Sequence, residues 1–321
     1  VNNQEQTMTV GIDDIRAAAL RISPYVHRTP VLSSTLINLQ AGCEIVFKCE
    51  NLQKAGAFKA RGAHNAVVQL NEAQRHAGVA THSSGNHAGA LALAASHFHM
   101  PAYIVMPENS SATKVAAVRA YGGEITFCEP TQAARESALD KLVARTGAAF
   151  IPPYDHPDII AGQGTAVLEL TEQLPQAPDF LLTPVGGGGL LAGSAIACKS
   201  VWPQTLVIGA EPVDADDAQR SFRTGQWHPQ CTSVTVADGL RTALGILNFS
   251  ILRRQVDDIL IASDEAILAA MRLVWTHMKL VVETSAAVGL AVVMSHPEYF
   301  ANQRVVIVLS GGNVDIDRLP W

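Results

Sequence analysis

From residue 78 onward the chain alternates between short apolar, β-branched runs and longer runs with helical spacing. Strand-like runs occupy Gly78 to Ser83, Ala102 to Met106, Glu124 to Cys128 and Ala149 to Ile151. Helix-like runs fill the gaps, at Gly85 to Phe98, Ala112 to Tyr121 and Ala133 to Thr146. A second series follows: helix Ile159 to Leu174, strand Phe180 to Val185, helix Leu190 to Ser200, strand Leu206 to Ala210. Helices then span Glu265 to Lys279 and Ser285 to Ser295, before a last strand at Arg304 to Leu309. A helix between consecutive strands is the connection that parallel strands require. The pattern predicts an α/β protein with two open-twisted, mainly parallel lobes. Ahead of this, a helix is expected over Ile12 to Ile22, an extended segment at "HRTPVLSS", and a strand at Glu44 to Cys49.

Three strand-to-helix junctions carry unusual residues. "ENLQKAGAFKARGA" follows the Glu44 to Cys49 strand and opens a helix-like run through Leu70. Gly56 supplies an unusual backbone conformation there. Lys59 falls in the first helical turn, where the positive helix end and the apolar Ala57, Phe58 and Ala60 disfavour an ammonium. An amine freed of its proton is a nucleophile or base; a plain surface lysine at a helix start is the bland alternative. "THSSGNH" sets Ser83, Ser84, Gly85, Asn86 and His87 at the next junction. Hydroxyls and free amides at a helix start suit a carboxylate, and they equally suit ordinary capping.

"TPVGGGGLLAG" places Gly186, Gly187, Gly188 and Gly189 between strand and helix. Backbone amides that converge without side chains make a phosphate cradle. No Gly-Lys-Ser/Thr follows, so this is not a Walker loop. The loop also satisfies GxGxxA through Gly187, Gly189 and Ala192, and Glu211 ends the following strand. That is where a dinucleotide-binding fold keeps its ribose-binding acid, so an NAD-dependent dehydrogenase is the rival reading.

The lysine motif closely resembles that of the fold-type II pyridoxal-phosphate enzymes of the serine/threonine dehydratase group, which includes serine racemase and 3-hydroxyaspartate dehydratase. The four glycines match the tetraglycine loop of that family, and "VLSGGN" matches its closing motif. The motifs stand in family order from "HRTPV" to "SGGN", and "IAGQGTAVLEL" and "ADGLRTALG" extend the match. A lysine motif of this kind has no role in a dehydrogenase, which disfavours the rival.

The resemblance implies a large cofactor-binding domain from residues 1–71 plus 157–321, and a small inserted domain at 72–156. It implies pyridoxal 5'-phosphate in the cleft between them, joined to Lys59 as a Schiff base. Phe58, Asn86, the four glycines and Ser310 would bind that cofactor, with Asn86 at the ring hydroxyl and Ser310 at the pyridine nitrogen. A serine cannot hold that nitrogen protonated as an aspartate would, which favours elimination over transamination. The turn from Ser83 to His87 would take the substrate α-carboxylate, with Ser84 facing Cα opposite the lysine. "GAEPVDADDAQ" resembles the divalent-metal site of the serine racemase group, through the Glu211 and Asp217 carboxylates and the Ala215 carbonyl. By spacing alone the same acids read as a capped helix start. A Mg²⁺ or similar cation there would be structural and activating.

The activity implied is β-elimination from L-threonine or L-serine, giving a 2-oxo acid and ammonia. L-threo-3-hydroxyaspartate dehydration is an alternative, needing a further group for the second carboxylate, for which His87, Arg135 and Arg241 are candidates. Serine racemisation is another, with Ser84 as second acid/base. Tyr154, Asp155 and Gly89 depart from the animal racemase pattern, the last at its nucleotide site. The family usually forms homodimers.

Composition closes off other classes. A net charge of −6 with no Lys/Arg-rich run argues against nucleic-acid or anionic-membrane partners. Hydrophobic residues at 48% and charged residues at 16% support a sizeable core. The apolar stretch from Val281 to Met294 is interrupted by Glu283 and is too short to cross a bilayer. The polar Val1 to Thr7 lacks an export pattern. Cys43, Cys49, Cys128, Cys198 and Cys231 are scattered, as expected of reduced thiols in a cytoplasmic protein.

Overall fold

The computed structural model describes residues 10–229 and 234–321. Cys231 and the stretch Val1 to Thr7 lie outside the described residues. Ten strands are described: β1 (Val31–Ser33), β2 (Glu44–Lys48), β3 (Val79–His82), β4 (Ala102–Pro107), β5 (Glu124–Cys128), β6 (Ala149–Phe150), β7 (Phe180–Pro184), β8 (Leu206–Pro212), β9 (Asp258–Ala262) and β10 (Arg304–Val308). One sheet has the order β1-β2-β10-β7-β8-β9 and the other β5-β4-β3-β6. Of the pairs between these strands, only β1–β2 is antiparallel. Helices cover both sheets, so the central strands read as nearly unbroken apolar runs. Leu182, Ile307 and Val305 are completely buried.

Several features depart from the sequence expectations. Helix Ile246–Gln255 and strand β9 were not anticipated. β9 is a five-residue strand at the sheet edge. The helix expected over Glu265 to Lys279 runs from Asp264 to Leu273 and then widens into a π-turn, Val274–Met278. Lys279 ends it with φ +58. The helical run of the lysine motif starts only at Lys59 and ends at Val68. Two 3-10 turns precede it, Glu50–Leu52 and Lys54–Gly56, the second turning on Ala55 at φ 55 and Gly56 at φ 69.

Parallel strands deliver their C-terminal ends to one rim, and the loops leaving that rim make the binding crevice of such sheets. Here β2 leads into the lysine motif, β3 into the Ser83 to His87 turn, β7 into the glycine loop and β10 into Ser310. Among the described residues no helix is long and apolar enough to cross a membrane. Cys43, Cys49, Cys128 and Cys198 are unpaired.

Candidate active site

One cleft gathers the chemistry-bearing residues. Phe58, Lys59, the turn Ser83 to His87, the four loop glycines and Ser310 all line it. Glu211, Ala215 and Asp217 do not; they lie at the far end of β8 and the start of helix Asp217–Thr224.

Lys59 is the first residue of helix Lys59–Val68. Its Nζ donates to the Pro153 carbonyl at 2.6 Å, and it sits 5.1 Å from the Phe58 ring centroid and 6.0 Å from that of Tyr154. Burial lowers its pKa to about 8, against the opposing pull of Glu283. Near neutral pH about a tenth of the amine is therefore unprotonated, far more than for an ordinary lysine of pKa 10.5. Its position is fixed from beneath by Arg61, which is wholly buried. Arg61 makes two hydrogen bonds to each of two carboxylates: Glu50 at 2.8 and 2.8 Å, and Glu169 at 2.7 and 3.0 Å. Lys48 joins Glu169 at 2.6 Å. Burial, the largest influence, would raise the Glu50 pKa, but the Arg61 charge and hydrogen bonds, with Lys48 and Thr29, together outweigh it and hold the carboxyl below its usual range. The first turn of the lysine helix is thereby clamped to β2 and to helix Pro157–Gln173.

Across the cleft, Gly188 caps helix Gly189–Val201 with φ 91, a conformation that favours glycine. A Cβ on Gly187 would overlap the Tyr154 ring, and one on Gly189 would lie 2.8 Å from the Tyr154 carbonyl. Among the described residues, the amides of Gly186, Gly187 and Gly188 have no protein acceptor. They are free for an anion, beside the positive end of a thirteen-residue helix.

At the third junction, Asn86 donates through Nδ2 to Glu283 Oε1 at 2.7 Å and accepts from Asn313 at 3.0 Å. A primary amide has a second N–H, so one donor remains. The Ser310 carbonyl accepts from the Phe58 amide at 3.0 Å, tying the closing motif to the lysine motif. His87 is 2% exposed, and its Nε2 faces the Ile151 carbonyl at 3.1 Å. Burial, reinforced by the Lys59 charge, depresses its pKa to about 3, so the ring is neutral.

Glu283, Lys114 and Asp238 carry no functional signal in the sequence, where Glu283 reads only as a charge breaking an apolar run. It is 4% exposed, and burial raises its pKa to about 7 against the Lys114 charge. Lys114 forms an ion pair with Asp238 across the cleft. Tyr154 accepts a hydrogen bond from Thr242 at 3.0 Å. The only sequence signal for Glu283 was that same lone acid within an apolar run.

In the acidic turn, Glu211 accepts from the Ala218 and Gln219 amides at 3.1 and 2.8 Å, and Asp217 from the Leu244 amide at 2.8 Å. Burial, then the Asp217 charge, pushes the Glu211 pKa well up. Among the described residues no cluster of three or more His, Cys, Asp or Glu side chains is placed to hold a metal.

The family described as "Pyridoxal-phosphate dependent enzyme" matches residues 22–311. The chain is 46% identical over 309 residues to the β-hydroxyaspartate dehydratase of Paracoccus denitrificans, covering 96% of this chain and 98% of that one. The structure of maize serine racemase superposes with TM-score 0.92 at 43% identity, covering 96% of this chain and 95% of the other. The structure of the serine racemase of Dictyostelium discoideum superposes with TM-score 0.90 at 44% identity, covering 96% and 99%.

Proposed function

The chain belongs to the pyridoxal-phosphate dependent enzyme family, and on that premise we propose that it dehydrates a β-hydroxy amino acid to a 2-oxo acid and ammonia. The observation that carries this reading is the pairing of a buried Lys59 amine of lowered basicity with the acceptor-free glycine loop across one cleft. These residues fit pyridoxal phosphate: an amine for its aldehyde, converging amides for its phosphate, the spare Asn86 N–H for its ring oxygen, and Ser310 for its ring nitrogen. When bound, the cofactor supplies an electron sink for the pair left at Cα.

The turn from Ser83 to His87 receives the α-carboxylate. Lys59, with its pKa of about 8, takes the α-proton as general base. Ser84 faces the reacting carbon from the opposite wall. Loss of the β-hydroxyl as water leaves an enamine, which on release takes up water and yields the 2-oxo acid and ammonia. Lys59→Ala should abolish turnover and leave the circular dichroism spectrum unchanged. Normal turnover in that variant would refute the assignment.

One observation favours a dicarboxylate substrate, 3-hydroxyaspartate, over L-threonine or L-serine. Arg135 lines the cleft, and its Nε is buried without an acceptor among the described residues. A buried guanidinium donor without a partner is costly, and a second substrate carboxylate would satisfy it. The Paracoccus relative is named for that substrate class.

Three subsidiary readings complete the proposal. Residues 72–156 act as a small domain against a large one made of 1–71 and 157–321; the sheet β5-β4-β3-β6 falls within the first stretch. A divalent cation binds Glu211, Asp217 and the Ala215 carbonyl, relieving the repulsion between two buried carboxylates, for which oxygen ligands are the right type. The working form is a homodimer in a reducing, cytoplasmic setting, in keeping with the unpaired thiols.

A further inference from the structure

The glycine loop is useful to an anion only if its peptides are turned the right way, and one buried side chain governs that. Asn248 lies in the first turn of helix Ile246–Gln255 and is completely buried. Its Nδ2 donates to the Gly187 carbonyl at 2.6 Å and reaches the Tyr154 carbonyl at 3.4 Å. Both neighbours are acceptors, which fixes the orientation of the amide. Its Oδ1 has no partner among the described residues. The Gly245 amide donates to the same Gly187 carbonyl at 3.1 Å. Asp155 holds the start of this helix in place by accepting the Asn248 amide at 3.0 Å.

A carbonyl with two donors is pinned. No peptide bond among the described residues is cis. In a trans peptide the C=O and the following N–H point in opposite directions. With the Gly187 oxygen held toward Gly245 and Asn248, the Gly188 N–H is turned the other way, to the cleft side of the loop. Neither Gly245 nor Asn248 lines the cleft. Without the pin, a run of glycines has many conformations of similar energy, and a flipped 187–188 peptide would set an oxygen where the anion needs a donor.

We infer that Asn248 is the positioning residue of the phosphate cradle: it touches neither cofactor nor substrate, and sets the Gly187–Gly188 peptide so that its N–H meets the phosphate. This rests on the reading of the glycine loop as a phosphate site given above.

The test separates the phosphate from the rest of the cofactor. The full chain, freed of cofactor, is titrated with pyridoxal 5'-phosphate and, separately, with unphosphorylated pyridoxal, following the visible band. Asn248→Leu keeps the volume and removes the donor; Asn248→Ala is run beside it in case the larger side chain disturbs folding. The wild type should prefer the phosphate ester. The variants should lose about tenfold or more of that preference, the worth of one well-oriented donor to a charged group, with pyridoxal affinity within about twofold of wild type. An unchanged preference in a folded variant overturns the role of Asn248, as does an equal loss of affinity for both compounds. A wild type with no preference for the phosphate ester overturns the cradle reading itself, and this inference with it.

Discussion

Asn86 and Glu283, separated by 197 positions in the chain, share a hydrogen bond of 2.7 Å at the cleft wall. It is the one bond that Glu283 makes through Oε1 to a cleft side chain, while Oε2 has no partner among the described residues. A carboxyl so placed is comfortable protonated and strained when charged, as its pKa of about 7 reflects.

The pH dependence of stability follows from that shift. A carboxyl whose pKa is raised in the fold contributes stability that is complete below its unfolded value of 4.5 and is lost as pH rises through about 7. Glu283→Gln cannot ionise and makes no such loss. The apoprotein of that variant should therefore gain in melting temperature relative to wild type as pH is raised from about 5 to 8. A difference on the order of 3 kcal/mol is the ceiling set by the size of the shift. Parallel melting curves for the two proteins across that range would contradict it.

Lys59 titrates in the opposite sense. Its pKa falls to about 8 from the ordinary lysine value of 10.5, so neutral amine accumulates at lower pH than in free lysine. The rate at which apoprotein captures pyridoxal phosphate should rise with pH and level off a little above 8. Stopped-flow absorbance measures it. A rate still climbing toward the ordinary lysine range would show that the cleft does not depress the amine.

Arg61 should be the most costly residue near the site to replace. Arg61→Met leaves Glu50, wholly buried, and Glu169 without their shared cation. Breaking such a network typically costs about 3–5 kcal/mol. Urea denaturation of the variant should show a loss of that order, and the Lys59 amine should lose its fixed distance to the Pro153 carbonyl. A variant as stable as wild type would mean that the ion cluster is not what anchors the lysine helix.

Arg135 separates the candidate substrates. Arg135→Gln should lower kcat/KM for L-threo-3-hydroxyaspartate by roughly a hundredfold, the worth of a charge-assisted contact of about 2–3 kcal/mol. Activity on L-serine and L-threonine should change little. An equal fall for all three substrates would assign Arg135 to the architecture of the cleft.

The junction residues were legible in the sequence because each is a local pattern at the end of a strand. Lys59 with Gly56, the Ser83 to His87 turn and the four glycines need only their neighbours to be understood. Glu283, Lys114 and Asp238 were not, because their meaning is a contact between distant stretches. Lys114 meets Asp238 from 124 positions away, and nothing in either neighbourhood announces the pairing. Arg61 was visible as a letter of the lysine motif, but its carboxylate partner Glu169 stands 108 positions on, in a stretch that matches the family without announcing the pairing. Asn248 sits in a helix that the sequence did not foretell, so its hold on Gly187 could only be seen in three dimensions.

The central claim is tested most directly by one spectrum. Purified protein is scanned in the visible before and after separate additions of L-threo-3-hydroxyaspartate, L-threonine and L-serine, with 2-oxo acid and ammonia assayed in each sample. The account predicts a visible cofactor band that responds most strongly to L-threo-3-hydroxyaspartate, with keto acid and ammonia formed in equal amounts. A colourless protein that takes up no pyridoxal phosphate, or a coloured one that yields no keto acid from any of the three, would contradict it.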